Sequence, residues 1–172
     1  MNSLLNVALF QAGWWACVLG AVNEQPWIGL TAVAVILALH VARAARPLRE
    51  IALASIAAVA GALFENALVR TGWVRYGAEG VSAAFAPLWI VAMWPLFATT
   101  LNVSLRKMRA HPLIAALLGL IGGPLAYYAG ARLGALDLVS PGPALTAIAI
   151  GWAVLTPALC VAALRFDGYA RP

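Results

Sequence analysis

Charge is scarce in this chain. Of its 172 residues only 10% are charged, with 11 Lys and Arg against 6 Asp and Glu, while 64% are apolar. A soluble domain carries about 25% charged and about 45–50% apolar residues, so a soluble globular enzyme is excluded. Cysteine is nearly absent. Cys17 and Cys160 each sit in an apolar run with no CxxC or CxxH companion, which leaves no thiol relay or zinc site and predicts two small apolar packing residues. His40 and His111 lie far apart at segment ends; a multi-histidine metal centre is excluded, and no metal or other cofactor is expected. A Ser/His/Asp set, a GxSxG elbow and a HExxH helix are likewise missing. The two halves of the chain share no polar positions, so the inverted repeat of many transporters is not found. The first apolar run lacks a basic leader and reads as a span, not as a cleaved signal.

What the chain does have is a series of apolar runs of about 20 residues, the length that crosses a bilayer core. They are Leu4–Val22, Trp27–Ala42, Ile51–Val69, Ser82–Leu105, Pro112–Ala131 and Pro143–Leu164. Residues 1–172 are therefore expected to form a single transmembrane domain, an all-α integral membrane bundle of six helices with sequence neighbours antiparallel. Arg43, Arg46, Arg49, Arg106, Lys107, Arg109, Arg165 and Arg171 fall on one side, against Arg70, Arg75 and Arg132 on the other. The positive-inside rule places the first group, and both termini, in the cytoplasm. This bias accounts for the net charge of +5 and no nucleic-acid partner is needed. Trp27, Trp73 and Tyr76 fall at the outer ends and read as interface anchors.

Glu65 is the acid well inside a span, about 7 Å along the helix from Arg70. An ionisable group at such depth costs about 2.5–3.5 kcal/mol at the bilayer centre and is a functional hypothesis by default. Its plainer reading is a hydrogen bond to a neighbouring helix or a reach toward Arg70. Asn66 and Arg70 stand i,i+4 and are expected to pair along the helix. Antiparallel threading brings Trp14, Trp15, Trp89, Tyr127 and Tyr128 to similar depth, as pocket wall or as ordinary packing. Glu65 and Tyr127 are the candidate catalytic pair. Asn66, Arg70, Trp14, Trp89, Tyr128, Gln11 and Asn102 are the candidate pocket residues.

A second polar set, Gln11, His40, Thr99, Thr100, Asn102 and Ser104, lies in the inner half and reads mainly as interhelical glue, at about 0.6 kcal/mol per hydrogen bond. Gly119 with Gly123, and Gly130 with Gly134, are small-xxx-small pairs that allow close helix approach. Gly122-Gly123-Pro124 is expected to kink its helix. Asp167-Gly168-Tyr169-Ala170-Arg171 matches the opening of the CDP-alcohol phosphotransferase signature. That metal chemistry needs further aspartates downstream, none follows before Pro172, and the match is expected to be chance.

Several strings carry a family resemblance. They are Phe10-Gln11 with Trp14, Pro87-Leu88-Trp89, Leu96 to Leu105, Gly122-Gly123-Pro124-Leu125-Ala126-Tyr127, and Gly130 to Ala135. In this order they resemble the bacterial inner-membrane family catalogued as domain of unknown function 2878, over roughly Leu5 to Leu164. The resemblance implies a small multi-pass inner-membrane protein with no established activity and a leaning toward lipid metabolism beside fatty-acid-modifying enzymes. Glu65 stands where the resemblance implies Asp, and Val103 where it often implies His. Three functions are therefore weighed. The first is binding or processing of a lipid or other hydrophobic molecule around Glu65, with membrane lipids as partners. The second is proton-coupled transport of a small molecule, in which a homodimer joined through the glycine pairs is expected. The third is a non-catalytic accessory subunit of a fatty-acid-modifying pathway.

Overall fold

The computed structural model describes residues 2–77 and 85–170. Ser82, Arg171 and Pro172, used above for a span boundary, the charge bias and the phosphotransferase comparison, lie outside the described residues. Within them the chain forms α1 (Ser3–Val22), α2 (Pro26–Ala42), α3 (Pro47–Thr71), β1 (Val74–Tyr76), α4 (Leu88–Leu101), a 3-10 turn (Arg106–Ala110), α5 (Pro112–Arg132), β2 (Leu136–Leu138) and α6 (Pro141–Arg165). Local chemistry sets the helix starts. Asn2 caps α1 by accepting from the Leu5 amide at 2.8 Å, and α2, α3, α5 and α6 each begin on a proline, whose fixed φ and missing N–H suit the first helical position. Gly72, at φ 72°, ends α3 in the left-handed conformation, which costs glycine little.

Four helices, α1, α3, α5 and α6, are long and apolar enough to cross a membrane. α2 has 17 residues and α4 only 14. The fourth run is thus shorter than its apolar length predicts. Pro87 stands just before α4 and is not inside it. The chain leaves the helix at Asn102, whose side chain is drawn into a polar cluster described below. α3 is longer than predicted, and it takes in Glu50 within its first turn.

α1 pairs with α2, α3 with α4, and α5 with α6; α4 also packs on α1, α2 and α6. α4 is consequently the inner helix. Ten of its residues are buried, including Trp89, Trp94 and the whole stretch Trp94–Leu101. α5 and α6 approach closely because Gly119 and Gly123 face Trp152, leaving no room there for a side chain. These two glycines are thus engaged within the chain. Gly134 lies past the end of α5 with φ 88°, in a turn.

The two short strands were not expected from the apolar pattern. β1 and β2 pair antiparallel, Val74 with Leu138, Arg75 with Asp137 and Tyr76 with Leu136. The period-2 alternation of a strand buries Val74 and Tyr76 and exposes Arg75. This ribbon joins the outgoing end of α3 to that of α5 and determines where Tyr76 points.

Candidate functional site

Glu65 is completely buried. Its Oε2 accepts from Tyr76 Oη at 2.6 Å. Its Oε1 accepts from Trp94 Nε1 at 2.9 Å and from Tyr127 Oη. One carboxyl therefore ties α3 to β1, α4 and α5. Three neutral donors suit a carboxylate, because hydrogen bonds to an ionised acceptor are shorter and stronger than neutral ones.

Small residues create the room for these donors. Gly61, one turn before Glu65, lies under the Trp94 ring, and Gly151 of α6 lies under the Phe64 ring. Phe64 meets Trp94 edge-on at 5.8 Å, and Trp94 stacks on Trp152 with centroids 4.7 Å apart. A ring held between two others and a glycine seat has little freedom to turn its N–H away from Glu65. Tyr76 is fixed in the same manner by Trp89, edge-on at 5.8 Å.

A cavity of about 70 Å³ borders the carboxyl, lined by Glu65, Tyr127, Trp14, Trp89, Trp94 and Trp152 among others. Next to it a wider cleft of about 530 Å³ opens between α1, α4, α5 and α6. Phe10, Trp14, Phe97, Ala126 and Trp152 contribute to both.

Of the sequence candidates, Glu65, Tyr127, Trp14 and Trp89 meet at the small cavity. Gln11 lines the wider cleft. The others are placed elsewhere. Asn66 does not pair with Arg70: its Nδ2 donates to the Ala62 carbonyl at 2.7 Å and its Oδ1 accepts from the Ala86 amide at 3.1 Å. Arg70 is exposed at the helix end, where a guanidinium is better solvated than in the bundle. Tyr128, 50% exposed, points away because it follows Tyr127 by one residue, about 100° around the helix. Trp15 is turned outward from Trp14 for the same reason. Tyr76 is no interface anchor, being folded back by the ribbon onto Glu65. Nothing in the sequence points to Trp94, because the seat at Gly61 that admits its ring shows only in the packed helices.

Asn102 belongs to a separate cluster at the other end of the bundle, centred on Glu50. His40 Nε2 lies 2.8 Å from Glu50 Oε2, while Asn102 Nδ2 and the Gly168 amide donate to Oε1 at 2.8 and 2.7 Å. Arg109 donates to Asn102 Oδ1 at 2.5 Å and to Asp167 Oδ2 at 3.1 Å, and Arg106 donates to the same Asp167 oxygen at 2.6 Å. Tyr169 Oη donates to the His40 carbonyl at 2.7 Å. Burial, together with the nearby Glu50 charge, pushes the Tyr169 phenol up to about 12. Glu50 is a second buried acid that the span boundaries had left outside. Asp167, Gly168 and Tyr169 close this end of the bundle. Toward the same end of the bundle Asn6 of α1 reaches the Thr99 carbonyl at 3.1 Å and accepts from Ser104 Oγ at 2.6 Å, a direct α1–α4 tie. Thr99 and Thr100 donate within α4.

Among the described residues no group of three or more His, Cys, Asp or Glu is placed to hold a metal ion. No curated protein and no solved structure matches the chain. The family described as "Protein of unknown function (DUF2878)" matches residues 3–158, a stretch that includes Glu65 and all three of its donors, and the chain belongs to this family.

Proposed function

We propose that this bacterial inner-membrane protein binds or processes a lipid or other hydrophobic molecule in the intramembrane pocket around Glu65. One observation carries the reading. A carboxyl with no exposed surface takes Tyr76, Trp94 and Tyr127 as donors at the wall of a cavity that is otherwise aromatic and aliphatic. An acid in hydrocarbon costs about 2.5–3.5 kcal/mol, and apolar packing would hold the helices together without it. Donors fixed in advance around such a group are the arrangement that acid–base work in a dry site requires. In this reading Glu65 is the proton acceptor. Tyr127, which already directs its hydroxyl proton at Oε1, passes a proton between the cavity and the carboxyl.

All six helices cross the membrane in this reading. α2 and α4 would be about 25 Å and about 21 Å long, and the shorter one is shielded from lipid by its neighbours. The end carrying Arg43, Arg46, Arg106 and Arg109, to which residues 166–169 also return, would face the cytoplasm.

The test compares wild type with Glu65→Gln, each purified in mild detergent and analysed by mass spectrometry for retained hydrophobic molecules. Wild type should retain a molecule enriched over bulk lipid, and the variant should lose it while staying folded. Equal retention by both proteins would remove Glu65 from the site.

A further inference from the structure

The wider cleft has chemistry of its own. It is lined along α5 from Leu118 to Ala129, which at about 1.5 Å per residue is a trough about 16 Å long. Its volume of about 530 Å³ falls within the range of about 300–1,000 Å³ of small-molecule pockets. Its walls are mostly apolar, and no charged residue is among the described residues that line it.

Thr156 of α6 lines this cleft with 1% of its surface exposed, and its Oγ1 has no hydrogen-bond partner. A hydroxyl on a membrane helix ordinarily finds a partner, because leaving one unpaired in a dry interior costs about 1–3 kcal/mol. Trp152, one turn earlier on the same helix, also lines the cleft, but its indole N–H is turned toward the Tyr127 hydroxyl of the neighbouring small cavity. The stranded Thr156 hydroxyl calls for an acceptor oxygen. Across the cleft Gln11 and Ser104 provide a polar margin, suited to the rest of a headgroup. Uncharged walls disfavour a carboxylate or phosphate at this depth, since an unpaired charge there is far costlier than an unpaired hydroxyl.

We infer that the cleft is a binding site for an uncharged, single-chain amphipathic lipid, whose chain lies along α5 and whose hydroxyl or carbonyl oxygen draws the Thr156 hydroxyl, which rests against Gly119, round to bond it. This names the class of molecule for the function proposed above and rests on that reading only in requiring that a hydrophobic molecule enter the bundle.

The probe is a C16 monoacylglycerol with a diazirine in its chain, photolysed with the full chain in nanodiscs and mapped by peptide mass spectrometry. Labelling is expected on α5 and α6 peptides between Leu118 and Thr156 and should be competed by unlabelled monoacylglycerol. Thr156→Val should weaken half-maximal labelling about fivefold, the effect of one net hydrogen bond, while Thr156→Ser should preserve it. Gly122→Phe should abolish it, because a Cβ at Gly122 meets nothing within 4 Å and a ring there would fill the trough without a clash at its base. Labelling insensitive to both Thr156→Val and Gly122→Phe would overturn the assignment. Equal labelling by the fatty-acid carboxylate of the same chain length would overturn it too. Labelling that depends on Thr156 but not on Glu65→Gln would uphold the cleft and count against the Glu65 pocket, so the two readings fail separately.

Discussion

Tyr76 reaches back across eleven residues to place its hydroxyl 2.6 Å from Glu65 Oε2. Neither residue could arrange this alone. α3 has already ended at Thr71, and the strand pairing of Tyr76 with Leu136 turns the phenol inward and down onto the helix it has just left. Glu65 is therefore enclosed from the ribbon side by Tyr76 and from within the bundle by Trp94 and Tyr127.

Replacing Glu65 separates charge from hydrogen bonding. In Glu65→Gln the amide oxygen can still accept from Trp94 and Tyr127, and the amide nitrogen can donate to the Tyr76 hydroxyl. The Tyr76 O–H alone loses its acceptor, so stability in detergent should fall by about 1–3 kcal/mol while function is lost. Glu65→Ala strands three buried donors at about 1–3 kcal/mol each, so a large fall in melting temperature is expected. Equal melting temperatures for the two variants would contradict this account of the donors.

Gly123→Leu should destabilise the bundle by about 1–3 kcal/mol or more, the usual cost of overpacking. Any side chain there meets the Trp152 ring, and Trp152 stacks on Trp94. The damage should therefore reach Glu65 through the two indoles. Thermal unfolding in detergent checks the size of the effect, and an unchanged midpoint would reject the close α5–α6 approach.

Asp167 offers a contrast between a buried and an exposed partner. Its side chain is 9% exposed and that of Arg109 is 7%, whereas Arg106 is 42% exposed. Asp167→Ala leaves the Arg109 guanidinium buried without its counter-charge and should cost about 3–5 kcal/mol. Arg106→Ala removes a solvent-facing pair worth about 0–1 kcal/mol. Comparable losses in the two variants would argue against the tail as a structural latch.

Tyr169 should titrate late. A free phenol loses its proton near pH 10, so the unfolded chain releases it there, while the folded chain holds it up to about 12. The folded state keeps the extra proton between these values. Its stabilising share is thus fully present below the ordinary tyrosine range and is lost as pH rises through the folded value. The phenolate absorbance difference between wild type and Tyr169→Phe should stay small at about pH 11. Full ionisation near the ordinary tyrosine value would show that the bond to the His40 carbonyl is not kept.

Much of the architecture is legible in the residues themselves. Apolar runs and prolines mark six helices, because hydrocarbon tolerates few charges and a proline can open a helix more easily than continue it. Glu65 stands out for the same reason, being a carboxyl in a stretch such as Ala62–Val69 that is otherwise nearly all apolar. Glu50 was obscured by its neighbours. Set among Arg46, Arg49 and Pro47 it looks like part of a loop, and only the return of Gly168 and Asn102 onto it shows a buried acid.

The sequence by itself determined that the chain is helical, apolar and marked by one costly acid, since composition and spacing act locally and are additive along the chain. Tertiary structure alone decided which partners that acid has. Membrane helices of nearly uniform apolarity carry almost no amphipathic signal to orient them, so rotation about each axis follows from steric fit. Gly61 admits Trp94, Gly151 admits Phe64, and a three-residue ribbon folds Tyr76 inward. Those contacts join residues far apart in the chain, and no local pattern encodes them.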